Sequence, residues 1–253
     1  MATVPVVPAP TPTPDTAPLS QAERIIDTFI APSKTFTDLR RSASWWAPWI
    51  LISIFSLIFS YAVSQKVTFE QIAKNEVARS PKASERIEKL PADQQAQQMK
   101  IMSISYMVGF YGSPVIILLI YAIVAAALFA TFKVAAGADV TFGRTFAVVM
   151  YAGLPGIVGA VLGTIAMFAG INPEGFNVNN PVGTNPAYYM DPETSKFVLG
   201  LASIPDVISI WSIVLMGIGF SCISKVKRST AITIVAVWYV VWKLAAAGLA
   251  GAR

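Results

Sequence analysis

Residues 105–132 read SYMVGFYGSPVIILLIYAIVAAALFATF, a long run without a charged side chain. An α-helix rises about 1.5 Å per residue, so about 20 apolar residues cross a hydrocarbon core about 30 Å thick. This run is long enough to cross a bilayer with some tilt, or to protrude from it. It therefore predicts a transmembrane helix and decides the class of fold to which the chain belongs.

Four further apolar runs have the length of a membrane span. Across the chain, 55% of the 253 residues are hydrophobic and 13% are charged, which is about half the charge of an ordinary soluble domain. The sequence therefore predicts an all-α polytopic membrane protein, in which residues 45–253 form a five-helix membrane domain. The predicted spans are 46–64, 105–132, 145–170, 206–224 and 230–250.

The net charge of +5 is concentrated in loops, so it indicates membrane topology rather than nucleic-acid binding. The basic residues of the short loops and of the segment before the first span are Arg40, Arg41, Lys133, Arg144, Lys225, Lys227 and Arg228. Because the basic side of a membrane protein faces the cytoplasm, this pattern predicts a cytoplasmic N-terminus and a C-terminus outside. The long loop 65–104 opposes the pattern with seven Lys and Arg residues, although it also carries five acidic residues.

The segment before the first span divides into two parts. Residues 1–19 are rich in proline and threonine, which predicts a disordered tail, and they lack the pattern of a signal peptide. Residues 20–44 predict a cytoplasmic amphipathic helical segment that begins with a capping box at Ser20 and Glu23 and is interrupted at Pro32.

The amphipathic segment has two open interpretations. Its first helix predicts an apolar face made by Ala22, Ile25, Ile26, Phe29 and Ile30, and its second helix carries Phe36 and Leu39. The segment either lies on anionic lipid at the membrane surface or packs on the cytoplasmic ends of the membrane helices.

The two loops on the opposite side have different compositions. Residues 65–104 predict a polar helical hairpin on the outer face. Residues 171–195 are rich in Asn, Pro and Gly and predict turns. The acidic residues of the second loop lack the spacing of a calcium-binding loop, so no metal site is expected.

No motif with catalytic spacing is present. The chain has no histidine and one cysteine, which excludes a histidine-based triad, a zinc site of the usual Cys/His type and an intrachain disulfide. Nucleophile elbows, zinc-protease motifs and phosphate-binding glycine loops are also absent. The sequence therefore predicts a protein without catalytic residues or a cofactor, in which Cys222 is a small buried hydrophobic residue.

The third span contains proline and several glycines. Pro155 predicts a kink, because proline removes one backbone hydrogen bond and crowds the preceding turn. Gly156, Gly159 and Gly163 predict a flat face for close helix packing.

Two ionisable residues lie in or beside the last two spans. Asp206 begins the fourth span and Lys243 lies in the fifth, and the short connection between these spans makes them antiparallel neighbours. Their heights, counted along the helices, predict an ion pair near the outer edge of the membrane. In the alternative interpretation, Asp206 caps a helix and Lys243 extends to the headgroups.

Three segments together resemble the Yip family, the Ypt-interacting membrane proteins, in its bacterial branch. They are FIAPSKTF (29–36), FGRTFAVVMYAGLP (142–155) and PDVISIWSIVLMGIGFSCIS (205–224), which is followed by a basic turn and VWYVVW (237–242). The resemblance extends from about residue 23 to 242, and the family-motif positions are Phe29, Pro32, Phe36, Tyr151, Pro155, Asp206 and Trp211.

The resemblance implies five membrane helices with a cytoplasmic N-terminus, in a bacterial cytoplasmic membrane. Eukaryotic members of the family are associated with Rab-type GTPases. Their acidic-Leu-Tyr-Gly-Pro signature is absent here, which argues against Rab-type GTPase binding.

Two hypotheses of function follow. The first is a non-enzymatic scaffold that binds other membrane proteins or organises the lipid bilayer. The second is a small transporter or channel component, which would require ionisable residues around a cavity within the membrane.

Overall fold

The computed structural model describes residues 17–252, and the regular structure over this range is helical. The predicted tail lies outside the described residues as far as position 16. The α-helices are α1 (Gln21–Ile30), α2 (Pro32–Asp38), α3 (Trp46–Lys66), α4 (Phe69–Ala78), α5 (Pro81–Glu88), α6 (Ala92–Tyr111), α7 (Ser113–Ala130), α8 (Phe142–Ala152), α9 (Gly156–Phe168), α10 (Lys196–Ala202), α11 (Val207–Ile223) and α12 (Arg228–Ala252). A π-helical turn (Thr131–Ala135) extends α7, and a 3-10 turn (Pro186–Tyr189) precedes α10.

Among residues 17–252, four helical segments are long and apolar enough to cross a membrane. They are Trp46–Lys66, Ser113–Ala135, Phe142–Phe168 and Arg228–Gly251. A fifth crossing is present if α10 and α11, which are bent by 52° relative to each other, form one broken span. The predicted fold class, an all-α polytopic membrane protein, is confirmed.

The bounds of two spans differ from those predicted. The predicted second span, 105–132, joins the end of α6 to α7, but the helix is interrupted at Gly112. Pro114 explains the interruption, because it lacks an N–H group and is tolerated only in the first turn of a new helix. The predicted fourth span, 206–224, corresponds to α11, but α10 precedes it and continues the apolar path beyond Asp206.

Helix α8 lies at the centre of the molecule. Every residue from Thr145 to Ala152 is buried, because α8 contacts α1, α3, α7 and α11. Aromatic rings fill the space around it: Phe132 and Phe220 stack with their centroids 4.0 Å apart, and Trp45 meets Phe146 edge-on at 5.1 Å. The helices α1 and α2 form a hairpin that packs at one end of the bundle. We call this end the hairpin end.

The opposite end, which we call the cap end, is formed by α4, α5 and the first half of α6. Helix α4 packs along α6, and α5 contacts both. Asn75 of α4 donates hydrogen bonds to the carbonyls of Pro173 (2.8 Å) and Phe176 (3.0 Å). The Arg79 guanidinium donates to the Phe176 and Gly175 carbonyls at 2.8 and 2.9 Å. The loop 171–195 is therefore attached to the cap.

Candidate functional site

The α1–α2 hairpin is packed into the bundle. Phe36 of the second helix and Leu39, the residue that caps its C-terminus, are completely buried in the main core. Phe29 of the first helix meets Trp211 edge-on, with ring centroids 5.5 Å apart. The structure therefore favours packing against the membrane helices over a position free on the lipid surface.

The polar side of α1 faces the protein. Arg24, Asp27 and Thr28 are its buried residues. Ile26 and Ile30, which the periodicity assigns to an apolar face that meets either lipid or the bundle, are 57% and 75% exposed. The physical reason for the buried polar side is that a buried charge is costly unless it has a partner, and the partners of Arg24 lie within the protein.

A buried ion pair joins the two helices of the hairpin. Nη2 and Nε of Arg24 each lie 2.7 Å from Oδ2 of Asp38, and Nη1 donates to the Ser42 carbonyl at 3.2 Å. The Arg24 carbonyl accepts hydrogen bonds from the hydroxyls of Thr28 (2.7 Å) and Thr35 (2.9 Å). This network is not predicted by any of the sequence patterns described above. The available signal was the polar stripe of Arg24 and Thr28, four positions apart on one helical face.

Tyr151 connects the hairpin to the central helix. Its side chain is completely buried, and its hydroxyl donates to Oε1 of Gln21 at 2.9 Å. One residue later α8 ends, and α9 begins only at Gly156. Pro155, predicted to produce a kink, thus stands at the end of a three-residue interruption within the candidate span Phe142–Phe168.

The glycine face of the third span is only partly a packing face. A Cβ atom placed on Gly163 would lie 2.6 Å from Cε2 of Phe59, so α3 and α9 depend on glycine there for their close approach. The same atom on Gly156 or Gly159 would meet nothing within 4 Å. The predicted contact face is therefore wrong for those two positions, because they turn away from α3 and the other helices.

A second polar cluster surrounds the break between α10 and α11. Asp206 is the N-cap of α11, and its carboxylate accepts hydrogen bonds from the Ser209 N–H (2.7 Å), the Thr184 hydroxyl (2.5 Å) and the Asn185 amide (3.5 Å). The Val207 N–H in turn donates to the Thr184 carbonyl at 3.0 Å. The loop before α10 therefore folds back onto the break.

Lys243 reaches the same break from α12 but does not pair with Asp206. Its ammonium lies 3.2 Å from the Ser203 hydroxyl and 5.7 Å from the centre of the Tyr239 ring. The Tyr239 hydroxyl donates to the Ile204 carbonyl at 2.9 Å. The predicted ion pair is not among those formed by residues 17–252, because neutral donors and the helix N-terminus already satisfy the Asp206 carboxylate.

The cluster lies well inside the apolar length of the bundle. At about 1.5 Å per residue, Lys243 stands about 22 Å from Arg228 and about 12 Å from Gly251, the two ends of that candidate span. Ionisable groups at such depth are unfavourable by about 2.5–3.5 kcal/mol on insertion scales and mark functional positions by default. Asp206 and Trp211, two of the predicted family-motif positions, make different contacts. Asp206 caps α11 at the break, whereas the Trp211 ring packs against Phe29 of the hairpin.

The remaining candidate groups contribute no reactive centre. Among residues 17–252, no group of three His, Cys, Asp or Glu side chains has the arrangement of a metal site. Cys222 is partly buried at the hairpin end, with its sulfur 3.8 Å from the Ser33 carbonyl.

Comparison with known proteins identifies the family. The family model described as the Yip1 domain matches residues 26–248, a range that includes most of the hairpin and both helix breaks. No curated protein and no solved structure matches the chain. Because the Yip1-domain model covers most of the sequence, the chain belongs to the Yip family of membrane proteins.

Proposed function

We propose that the protein is a non-enzymatic scaffold that binds other membrane proteins or organises the bilayer around it. The observation that carries this proposal is the closed core around α8, in which Thr145–Ala152 are buried and the hairpin is held by the Arg24–Asp38 pair. A bundle packed in this way interacts through its outer surface.

The outer surface available for such interactions is large and apolar. On α12, Val237, Val241, Trp242 and Leu249 are exposed, and Trp242 is 71% exposed. Within a membrane these side chains contact either acyl chains or the helices of another protein. Partners of this kind are other membrane proteins and lipids, rather than nucleic acid or Rab-type GTPases.

The proposed location is a bacterial cytoplasmic membrane, with the hairpin end in the cytoplasm and the C-terminus outside. Two contacts support it. The Arg144 guanidinium donates to the Arg40 carbonyl at 2.9 Å, and the Arg228 guanidinium donates to the Ser33 hydroxyl at 3.0 Å. The basic residues of the short loops thus gather at one end, as the positive-inside rule requires, whereas the seven Lys and Arg residues of the long loop 65–104 at the other end are accompanied by five acidic residues. Reporter fusions at each terminus test this topology, and a cytoplasmic signal from the C-terminal fusion would contradict it.

A transporter or channel component is the second candidate. The observation that favours it is the α10–α11 break with Asp206, because discontinuous helices with polar residues near the midplane form the binding sites of many transporters. This role predicts solute flux across proteoliposomes that Asp206→Asn abolishes.

Site-specific photo-crosslinking in native membranes tests the scaffold proposal. A photoreactive residue at Val241 or Trp242 should give discrete protein adducts, whereas the same residue at Val235, which is 4% exposed on the same helix, should give none. Lipid adducts alone, together with Asp206-dependent flux from proteoliposomes, would favour the transporter.

A further inference from the structure

An open cleft of about 420 Å³ lies at the cap end, between α5, α6 and the first turn of α10. Its volume is within the range of small-ligand sites. Three basic side chains line it, from Lys82, Arg86 and Lys196. The lining also contains the apolar side chains of Ile87 and Met102, and no carboxylate from the described part of the chain. The cleft is therefore amphiphilic and positively charged.

Two of the three cations are not neutralised by neighbouring acids. Helix α5 carries acidic residues, but the ion pair at its end joins Glu85 to Lys89 at 3.7 Å. Among residues 17–252, no carboxylate lies within 4 Å of the Arg86 or Lys196 nitrogen atoms. Arginine and lysine that converge without an acid present the donors that phosphate groups require.

An apolar stripe on α6 runs beside the cleft. Ile101, Ile104 and Val108 are exposed at helical spacing, and Val115 of α7 is exposed as well. Ile101, at one end of the stripe, is three positions from the cleft-lining Gln98, so the two side chains are neighbours on the helix surface. The candidate span that starts at residue 113 lies roughly 18 Å from position 101 by helix rise. Lys196 begins the broken span of α10 and α11, so the rim of the cleft lies at the level where a span ends.

We propose that this cleft binds the headgroup of an anionic phospholipid from the leaflet at the cap end. The phosphate lies between Arg86 and Lys196, and Ile87 and Met102 contact the glycerol region. An acyl chain follows the stripe of Ile101, Ile104 and Val108 towards the bilayer. A free phosphate ion would use the same cations, but it would leave the stripe and the apolar side of the cleft unused.

Lipid binding at the cleft is independent of the scaffold role, because the photo-crosslinking positions lie on α12, outside the cleft lining. The test uses the purified full-length protein in detergent, followed by native mass spectrometry. The titrants are phosphatidylglycerol, phosphatidylcholine with the same acyl chains, and inorganic phosphate. The test variant is Arg86→Gln with Lys196→Gln, and the matched control is Lys89→Gln with Lys100→Gln, which removes two cap-end cations outside the cleft lining.

The expected result is binding of phosphatidylglycerol at least about ten-fold tighter than that of phosphatidylcholine. A basic residue near an anionic lipid surface contributes about five-fold in affinity, so the test variant should bind phosphatidylglycerol about 25-fold more weakly. The control should change less than about two-fold. All four positions carry charged side chains outside the buried core, and the thermal unfolding midpoint of each variant verifies that the bundle is intact.

Three results would overturn the proposal. They are equal binding of the two lipids, equal weakening by the test and control variants, and displacement of phosphatidylglycerol by inorganic phosphate at equimolar concentration. The last result would assign the cleft to a soluble anion instead.

Discussion

Loss of the buried ion pair of the hairpin should lower the free energy of unfolding more than loss of any other contact. The Arg24 and Asp38 side chains are 3% and 8% exposed, so Asp38→Asn would leave the Arg24 charge buried without a counter-charge. Removing one partner of a buried pair costs about 3–5 kcal/mol. We expect the free energy of unfolding to fall by about that amount, and the hairpin to detach before the bundle unfolds.

Two measurements check this expectation. Denaturant unfolding of the purified protein in mixed micelles gives the free energy, and trypsin cleavage at Arg40 or Arg41 reports detachment of the hairpin. The control is Lys74→Gln, which breaks the 2.7 Å ion pair with Glu70. Because the side chains of both partners are exposed, by 56% and 66%, this change should cost about 1 kcal/mol or less. Asp38→Asn combined with Arg24→Met should recover part of the lost stability, because no charge is then stranded.

The same variants also give the result that would refute a stabilising role of the Arg24–Asp38 pair. If Asp38→Asn destabilises the protein no more than Lys74→Gln, and the double variant is no more stable than Asp38→Asn alone, the pair does not hold the hairpin in place. Packing of its apolar side chains would then be sufficient.

Three further predictions concern other sites. Gly163→Ala should lower the free energy of unfolding in mixed micelles by about 1–3 kcal/mol through overpacking. Gly159→Ala, the control, should change it by about 0.5 kcal/mol or less. Equal effects of the two substitutions would contradict the close contact between Gly163 and Phe59. Asp206→Asn and Lys243→Met should have additive effects in a double-mutant cycle, because each residue binds a different neighbour, and a coupling above about 0.5 kcal/mol would reveal a direct pair. The Glu23 carboxylate accepts a hydrogen bond from the Ser20 N–H, which lowers the pKa of Glu23 below the ordinary 4.5. The contribution of this cap to the stability of α1 should therefore be complete above pH 4.5, and it should be lost as the pH falls through the lowered pKa. Proteolytic protection of α1 between pH 7 and pH 3 measures this loss, and Glu23→Gln should remove that part of the pH dependence.

The contacts across the helix breaks lay beyond the reach of the sequence. The sequence places Asp206 at the start of a span and predicts Lys243 of α12 as its partner, but in the structure the carboxylate accepts a hydrogen bond from Thr184, 22 positions earlier. The polar loop that supplies this residue had the composition of simple turns. Its return to the break depends on how α10 packs on α12, which no local pattern encodes.

The sequence by itself determined the number of apolar runs, the helical class of the fold and the capping box at Ser20, which is present in the structure. These features are local: they depend on about 20 consecutive apolar residues, or on side chains three positions apart. Only the tertiary structure decided which side of each helix faces the protein. An apolar side chain such as that of Ile26 is as favourable against lipid as in a protein core, so hydrophobicity does not distinguish the face of a helix that meets the protein from the face that meets lipid. Arg24 and Asp38 decide the matter for the hairpin, because buried charges require partners, and these two are brought together only when α1 and α2 fold against each other.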